Sequence, residues 1–155
     1  MYGEFLDLAS VDTSTLLESW RWLVPKSISI HRITLLGNAF LRSGNGAVFW
    51  LDVGRGQFTR IATSASEFNQ ALASSINTQQ WFVPNLLAAI RNHLPALQSG
   101  QCYSFVLPPC AGGSFELSNF EPSSLAMHFG ILGQLHEQIR SLADGTPIAR
   151  FVASD

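Results

Sequence analysis

The stretch from Asn38 to Thr63 constrains this chain more than any other. NAFLRS, GAVFWLDV and QFTRIAT are apolar and β-branched runs, separated by Gly-Asn-Gly and Gly-Arg-Gly. Glycine reaches the positive φ that a tight hairpin demands, so the segment predicts a three-stranded antiparallel meander. Just before it, Ile28 to Leu36 has Ile28 and Ile30 alternating, then Ile33 and Leu35. That pattern predicts a further extended segment.

Helical signals surround the meander. Leu16, Leu17, Trp20, Leu23 and Val24 follow a helical spacing, which predicts a helix from about Thr13 to Val24, capped by Asp12 and stopped by Pro25. After the meander, SASEF places Ser64 and Glu67 at the spacing of a capping box, with Phe68, Leu72 and Ile76 on one face. A further helix is expected near Pro84, its stripe Leu86, Leu87, Ile90 and Leu94, closed by Pro95. CYSFVL and FELSNF suggest two short strands. From about Pro122 to Leu142, the residues Leu125, His128, Leu132, Leu135, Ile139 and Leu142 recur every three or four positions. They predict a long core-facing helix, with Asp144-Gly145 as its stop. Strands and helices segregate, so the expected class is α+β, an antiparallel sheet packed with several helices. The 155 residues fit a single domain, 1–155.

Composition narrows the function classes. Hydrophobic residues make up 46% and charged residues only 13%, against about 25% charged in average soluble domains. The net charge of -2 gives no general attraction to nucleic acid or to an anionic membrane. Basic residues nevertheless crowd between Arg21 and Arg60, where Arg21, Lys26, Arg32, Arg42, Arg55 and Arg60 face Asp52 alone. No basic-then-apolar leader opens the sequence, and no apolar run approaches the length of a membrane helix. A cytoplasmic protein without membrane contact is expected.

Chemistry-bearing residues fall into weak constellations. Cys102 and Cys110 lie eight apart, unlike the C-x-x-C pairs that chelate zinc or exchange disulfides. Cys102 is expected to pack as a small hydrophobe in a strand. Gly112-Gly113 lacks the strand–loop–helix setting of a phosphate cradle and reads as a turn. His128 and His136 are eight apart on one helix, whereas metal-binding helices space their ligands one turn apart. His128 is expected to be a satisfied core histidine. Asp52 and Glu67 have no spacing that would make them an acid/base pair. Neither a catalytic residue, a metal nor a cofactor is therefore expected. Trp22 falls opposite the apolar stripe of its helix; it either packs under the next loop or, with Arg21, forms an outward contact of the kind enriched in binding hot spots.

Several segments together resemble one family: LLGNAFLRSGNGAVFWLD, the SASEF that follows, GQCYSFVLPPCAGGSFE, and LAMHFGILGQLHEQIRSLADG. They are similar to the C-terminal domain of bacterial type VI secretion immunity proteins that protect against a secreted DNase toxin. The similar region runs from about residue 33 to 145. Two departures stand out: Asn38 replaces an acidic residue expected after the glycine, and the N-terminal GAD-like domain of many members is expected to be absent. The resemblance implies a non-enzymatic protein of bacterial competition that binds a cognate toxin or a co-encoded partner.

Arg21, Trp22, Arg42, Arg55 and Arg60 are the candidate partner contacts. Should Arg42, Arg55 and Arg60 cluster at one end of the sheet, they would equally suit a phosphate backbone, making a nucleic-acid-binding regulatory domain the alternative. A hydrolase built on Cys102 or a histidine is the third option.

Overall fold

The computed structural model describes residues 5–142. Among these, a four-stranded antiparallel sheet and a two-stranded hairpin are packed by four α-helices, an α+β arrangement. The four strands are β1 (Ser29–Ile33), β2 (Ala39–Arg42), β3 (Val48–Asp52) and β4 (Gln57–Ala62), adjacent in chain order. The expected meander is present, and β1 joins its edge through Ile30↔Leu41 and Ile33↔Ala39. Gly46 and Gly56 turn the two hairpins at φ +91° and +68°, values that L-residues rarely adopt.

Alternation along the strands gives the sheet two apolar faces. Leu41, Leu51 and Ala39 point to one side, where Leu17, Trp20, Val24, Phe129 and Leu132 complete the main core. Phe40 and Val48 point to the other, against Phe68, Trp81 and Phe82 of α1 (Ala65–Leu72) and α2 (Ser75–Phe82). α3 (Pro84–His93) starts on its proline and packs Leu87 and Ile90 against Tyr103 and Phe120. These last two belong to the hairpin of β5 (Gln101–Phe105) and β6 (Phe120–Ser124). The Tyr103 N–H donates to the Leu35 carbonyl at 2.8 Å, which ties that hairpin to the main sheet.

α4 (Leu125–Ile139) is the long C-terminal helix, capped by the Ser124 hydroxyl on the Met127 N–H at 3.1 Å. It begins after Pro122, which pairs with Tyr103 in β6. Leu125, His128, Leu132 and Leu135 are buried as the stripe requires, whereas Ile139 is half-buried and Leu142 exposed. The expected stop at Asp144-Gly145 lies outside the described residues.

Three local expectations are corrected. Thr13–Val24 is a series of turns around one 3-10 turn, Glu18–Trp20, rather than an α-helix. Its backbone is held by its own turn bonds, such as the Trp20 N–H to the Leu17 carbonyl at 2.9 Å. Its side chains anchor it to α4, so its apolar residues still reach the core. Trp20 Nε1 and the Ser19 hydroxyl both donate to the Phe129 carbonyl, at 2.9 and 3.0 Å. Ile76 is 76% exposed, since Ser74 caps a new helix and resets the phase of the stripe. FELSNF becomes strand only from Phe120, after a 3-10 turn at Leu117–Asn119. The capping box is present in modified form: Ser64 accepts from the Glu67 N–H at 3.1 Å, and Glu67 reaches back to the Thr63 N–H at 3.3 Å.

Candidate functional site

Between the helices and the β5–β6 hairpin, part of the Phe40–Trp50 face of the sheet is left open. A cleft of about 720 Å³ lies there, within the range of roughly 300–1,000 Å³ typical of ligand sites. Its floor is Trp50, Gln57, Thr59 and Ile61 of β3 and β4. α2 and α3 supply one wall through Asn77, Gln80, Trp81, Val83 and Leu86. Phe105, Phe115 and Phe120 form the other.

Each wall has a physical reason to stand where it does. Trp81 meets Phe40 edge-on at 5.1 Å and lies 6.0 Å from Trp50, so α2 is fixed by aromatic packing. At the junction of α2 and α3, Val83 adopts φ 43°, an unusual conformation for a β-branched residue, and it is 38% exposed on the rim. Opposite, Phe105 lies 5.0 Å from Phe120 and meets Phe115 edge-on at 5.5 Å. The loop carrying Phe115 is held by Asn119, which accepts from the Leu107 N–H and donates to the Leu107 and Ser114 carbonyls. Gly113 is required there, since a Cβ would come within 1.7 Å of the Leu107 oxygen.

The cleft's formal charges are paired with each other. Asp52, buried, accepts from the Arg55 backbone N–H and from its guanidinium, both at 3.0 Å. The same guanidinium lies 4.2 Å over the Phe115 ring, joining the β3–β4 turn to the opposite wall. The rest of the lining is apolar or amide, apart from the Thr59 hydroxyl.

The sequence-derived contacts do not come together. β3 separates Arg42 from Arg55: one sits at the β2–β3 end of the sheet, the other in the β3–β4 turn. Arg60 pairs with Phe49 and Arg42 with Val48, which places them on opposite faces. Arg42 reaches the His31 ring at 3.2 Å. Burial, then the Arg42 and Arg32 charges, hold that imidazole below its ordinary pKa. Arg21 donates to the Pro25 and Ile28 carbonyls at 2.7 and 3.0 Å. Trp22 stacks on Trp20, donates to the Gly133 carbonyl at 3.1 Å and carries Arg140 over its ring. It thus packs against α4 instead of facing outward.

The histidines of α4 are built into the scaffold. His128 is buried; its Nε2 donates to the Gly37 carbonyl at 2.9 Å, so its Nδ1 must accept, from the Ser104 hydroxyl at 2.7 Å. Burial lowers its pKa to about 4. This Ser–His pair has the separation of a nucleophile and base, but an imidazole this weakly basic is poorly matched to proton abstraction near neutrality. His136 donates to the Gly54 carbonyl at 3.2 Å, and burial lowers its pKa too. The two rings therefore hold the β1–β2 and β3–β4 turns at one end of the sheet. Eight helical residues rise about 12 Å, close to the roughly 10 Å that two strand spacings cover. Cys102 lies fully buried in the main core, where burial pushes its thiol pKa up strongly; Cys110 is half-buried and shifted the same way. Among the described residues, no group of three or more His, Cys, Asp or Glu could hold a metal ion, and no helix is long and apolar enough to cross a membrane.

Both walls of the cleft, with α1, α3, the β5–β6 hairpin and most of α4, fall inside one recognisable span. Residues 62–136 match the family T6SS immunity protein Tdi1, C-terminal. The resemblance seen in the sequence motifs is thus shown across that span. The Tdi1 match begins at the end of β4, so the cleft floor precedes it. No curated protein matches the sequence. Among solved structures, the chain is similar to one described as the crystal structure of Atu4351 from Agrobacterium tumefaciens, with TM-score 0.58 and 18% identity. That likeness covers 79% of this chain and 61% of the other, and at such identity it shows the fold alone.

Proposed function

We propose that the chain is a cytoplasmic bacterial immunity protein that binds a secreted toxin, in the first instance a nuclease, and neutralises it by occlusion. The observation that carries this reading is the Tdi1 C-terminal match over residues 62–136. Binding by shape and charge complementarity needs no bond made or broken. The cleft is the surface that supports it best, and Arg55 is the candidate contact that lines it. Arg42 and Arg60 remain exposed elsewhere, while Arg21 and Trp22 are engaged within the chain. A phosphate backbone would be served by a continuous basic patch, and the separation of Arg42, Arg55 and Arg60 favours a protein partner instead.

Co-expression with the toxin encoded beside its gene tests the proposal. Growth rescue and co-purification of a one-to-one complex are expected. A toxin that kills equally with and without the chain, and does not co-purify, overturns it. A salt-sensitive, arginine-dependent mobility shift on the gene's own upstream DNA, without rescue, would replace it with the regulatory reading.

A further inference from the structure

We propose that a partner protein lays an extended segment along the free edge of β4 and seats an uncharged apolar or aromatic side chain in the cleft beside it. This rests on the reading that the partner is a toxin and specifies how it is held.

β4 ends the strand order, so among the described residues no strand lies on its outer side. The other edge is partly met, because Phe5 bridges to Thr34 and the Leu6 N–H donates to the Ile33 carbonyl at 2.8 Å. Native edge strands are usually blunted by proline, lysine or a bulge. β4, QFTRIA, has no proline or lysine; its one charge, Arg60, and its one irregularity, opposite Val48 and Phe49, both lie towards its far end. Residues Gln57 to Arg60 pair regularly with β3 and leave a template four residues long.

The cleft lies on the same face as Gln57 and Thr59, so every second side chain of an added strand would project on the cleft's side of the sheet. That is how strand addition divides its labour: backbone bonds give affinity, and alternate pockets give specificity. Charge selects the occupant. Asp52 and Arg55 neutralise each other at 3.0 Å, leaving no unpaired cation in the lining for a phosphate and no unpaired anion for a lysine. Asn77, Gln79 and Gln80 border the site with side chains that both donate and accept, which suits peptide groups. The aromatic walls suit a neutral ring or aliphatic chain.

The test uses the full chain and the purified product of the neighbouring toxin gene, its catalytic residue inactivated. Affinity is measured for wild type, Thr59→Lys, Phe115→Ala and Met127→Lys, all exposed positions, of which Met127 is outside the cleft. Thr59→Lys and Phe115→Ala are expected to weaken binding by about tenfold or more, as hot-spot truncations do, with Met127→Lys unchanged. Hydrogen exchange should show the outward-pointing amides of Gln57 to Arg60, those that do not donate to β3, protected only in the complex. Gln80→Lys replaces Thr59→Lys if the latter lacks a cooperative melt. Tight toxin binding that survives both cleft variants, or outward-pointing β4 amides already protected in the free chain, overturns this mode while leaving the immunity reading intact. Wild-type chain that does not bind the toxin overturns both. Cleft variants that reduce self-association or binding to duplex DNA, with toxin affinity unchanged, overturn it in favour of those occupants.

Discussion

His128 occupies the space that a side chain at position 37 would need. A Cβ on Gly37 would come within 2.3 Å of the His128 Nε2 atom, and the Gly37 carbonyl accepts that nitrogen's proton at 2.9 Å. Turn and imidazole are therefore one structural unit. Gly56 and His136 repeat the close approach at 2.5 Å.

Gly37→Ala is expected to be among the most damaging single substitutions. Gly46 provides the control, since its φ is also positive at +91° but nothing lies within 4 Å of its missing Cβ. Gly46→Ala should lose only the backbone term, about 1–2 kcal/mol, while Gly37→Ala adds displacement of the buried ring. Urea unfolding of both variants measures the difference; equal losses would show that the ring yields freely.

Acid should destabilise the fold through the same histidine. Its folded pKa of about 4 lies below the ordinary 6.5, so the unfolded chain binds the proton more readily between those values. Stability from this group is complete above about pH 6.5, falls as pH drops through the window, and stops falling below about 4. The full loss is on the order of 3 kcal/mol for a shift of this size, and His136 acts in the same direction. Stability measured against pH, with the His128 ring followed by NMR, checks both size and window. A ring that titrates near 6.5 in the folded protein would contradict the account.

The cysteines should differ in accessibility. Cys102 is fully buried and Cys110 half-buried, so a thiol reagent should modify Cys110 in the native protein and Cys102 only on unfolding. Cys102→Ser should lose about 1–3 kcal/mol by placing a hydroxyl in an apolar strand environment, with Cys110→Ser milder and neither changing toxin protection. Loss of protection in folded, alkylated protein would reverse this.

Trp22 separates packing from recognition. Trp22→Phe keeps a ring against Trp20 but removes the bond to the Gly133 carbonyl, an expected loss of about 1 kcal/mol. Leu135→Ala, in the core, should lose about 2–5 kcal/mol. If Trp22 only anchors the N-terminal turns to α4, its variant should bind toxin as wild type does. A large affinity loss with unchanged stability would restore it as a contact.

The meander was legible because its glycines punctuate runs of plain β character, and local chemistry settles hairpins. The 13–24 segment misled because burial of Leu16, Leu17, Trp20 and Val24 produces a helical spacing whichever backbone delivers it. The indoles of that segment bond to the carbonyls of Phe129 and Gly133, more than a hundred positions away, and no local spacing announces such anchors. Ile76 failed for a local reason: the serine that caps α2 interrupts a stripe that looked continuous. His128 was recognisable as a core residue from its place on the stripe, but its partners Ser104 and Gly37 were not. The cleft left no pattern at all. Its floor and walls come from separate stretches between Leu36 and Phe120, and glutamines and asparagines carry no periodic mark of which way they will face.

The eight-residue interval between His128 and His136 has a consequence for how such a chain can vary. α4 works as a gauge block whose length matches the distance between two turns. Substitutions along it are judged one at a time, but a single inserted or deleted residue would rotate His136 by about 100° and carry it away from Gly54. Homologues should therefore differ in the lengths of their surface loops yet keep this interval unchanged. An alignment could be anchored on it even where little else is shared.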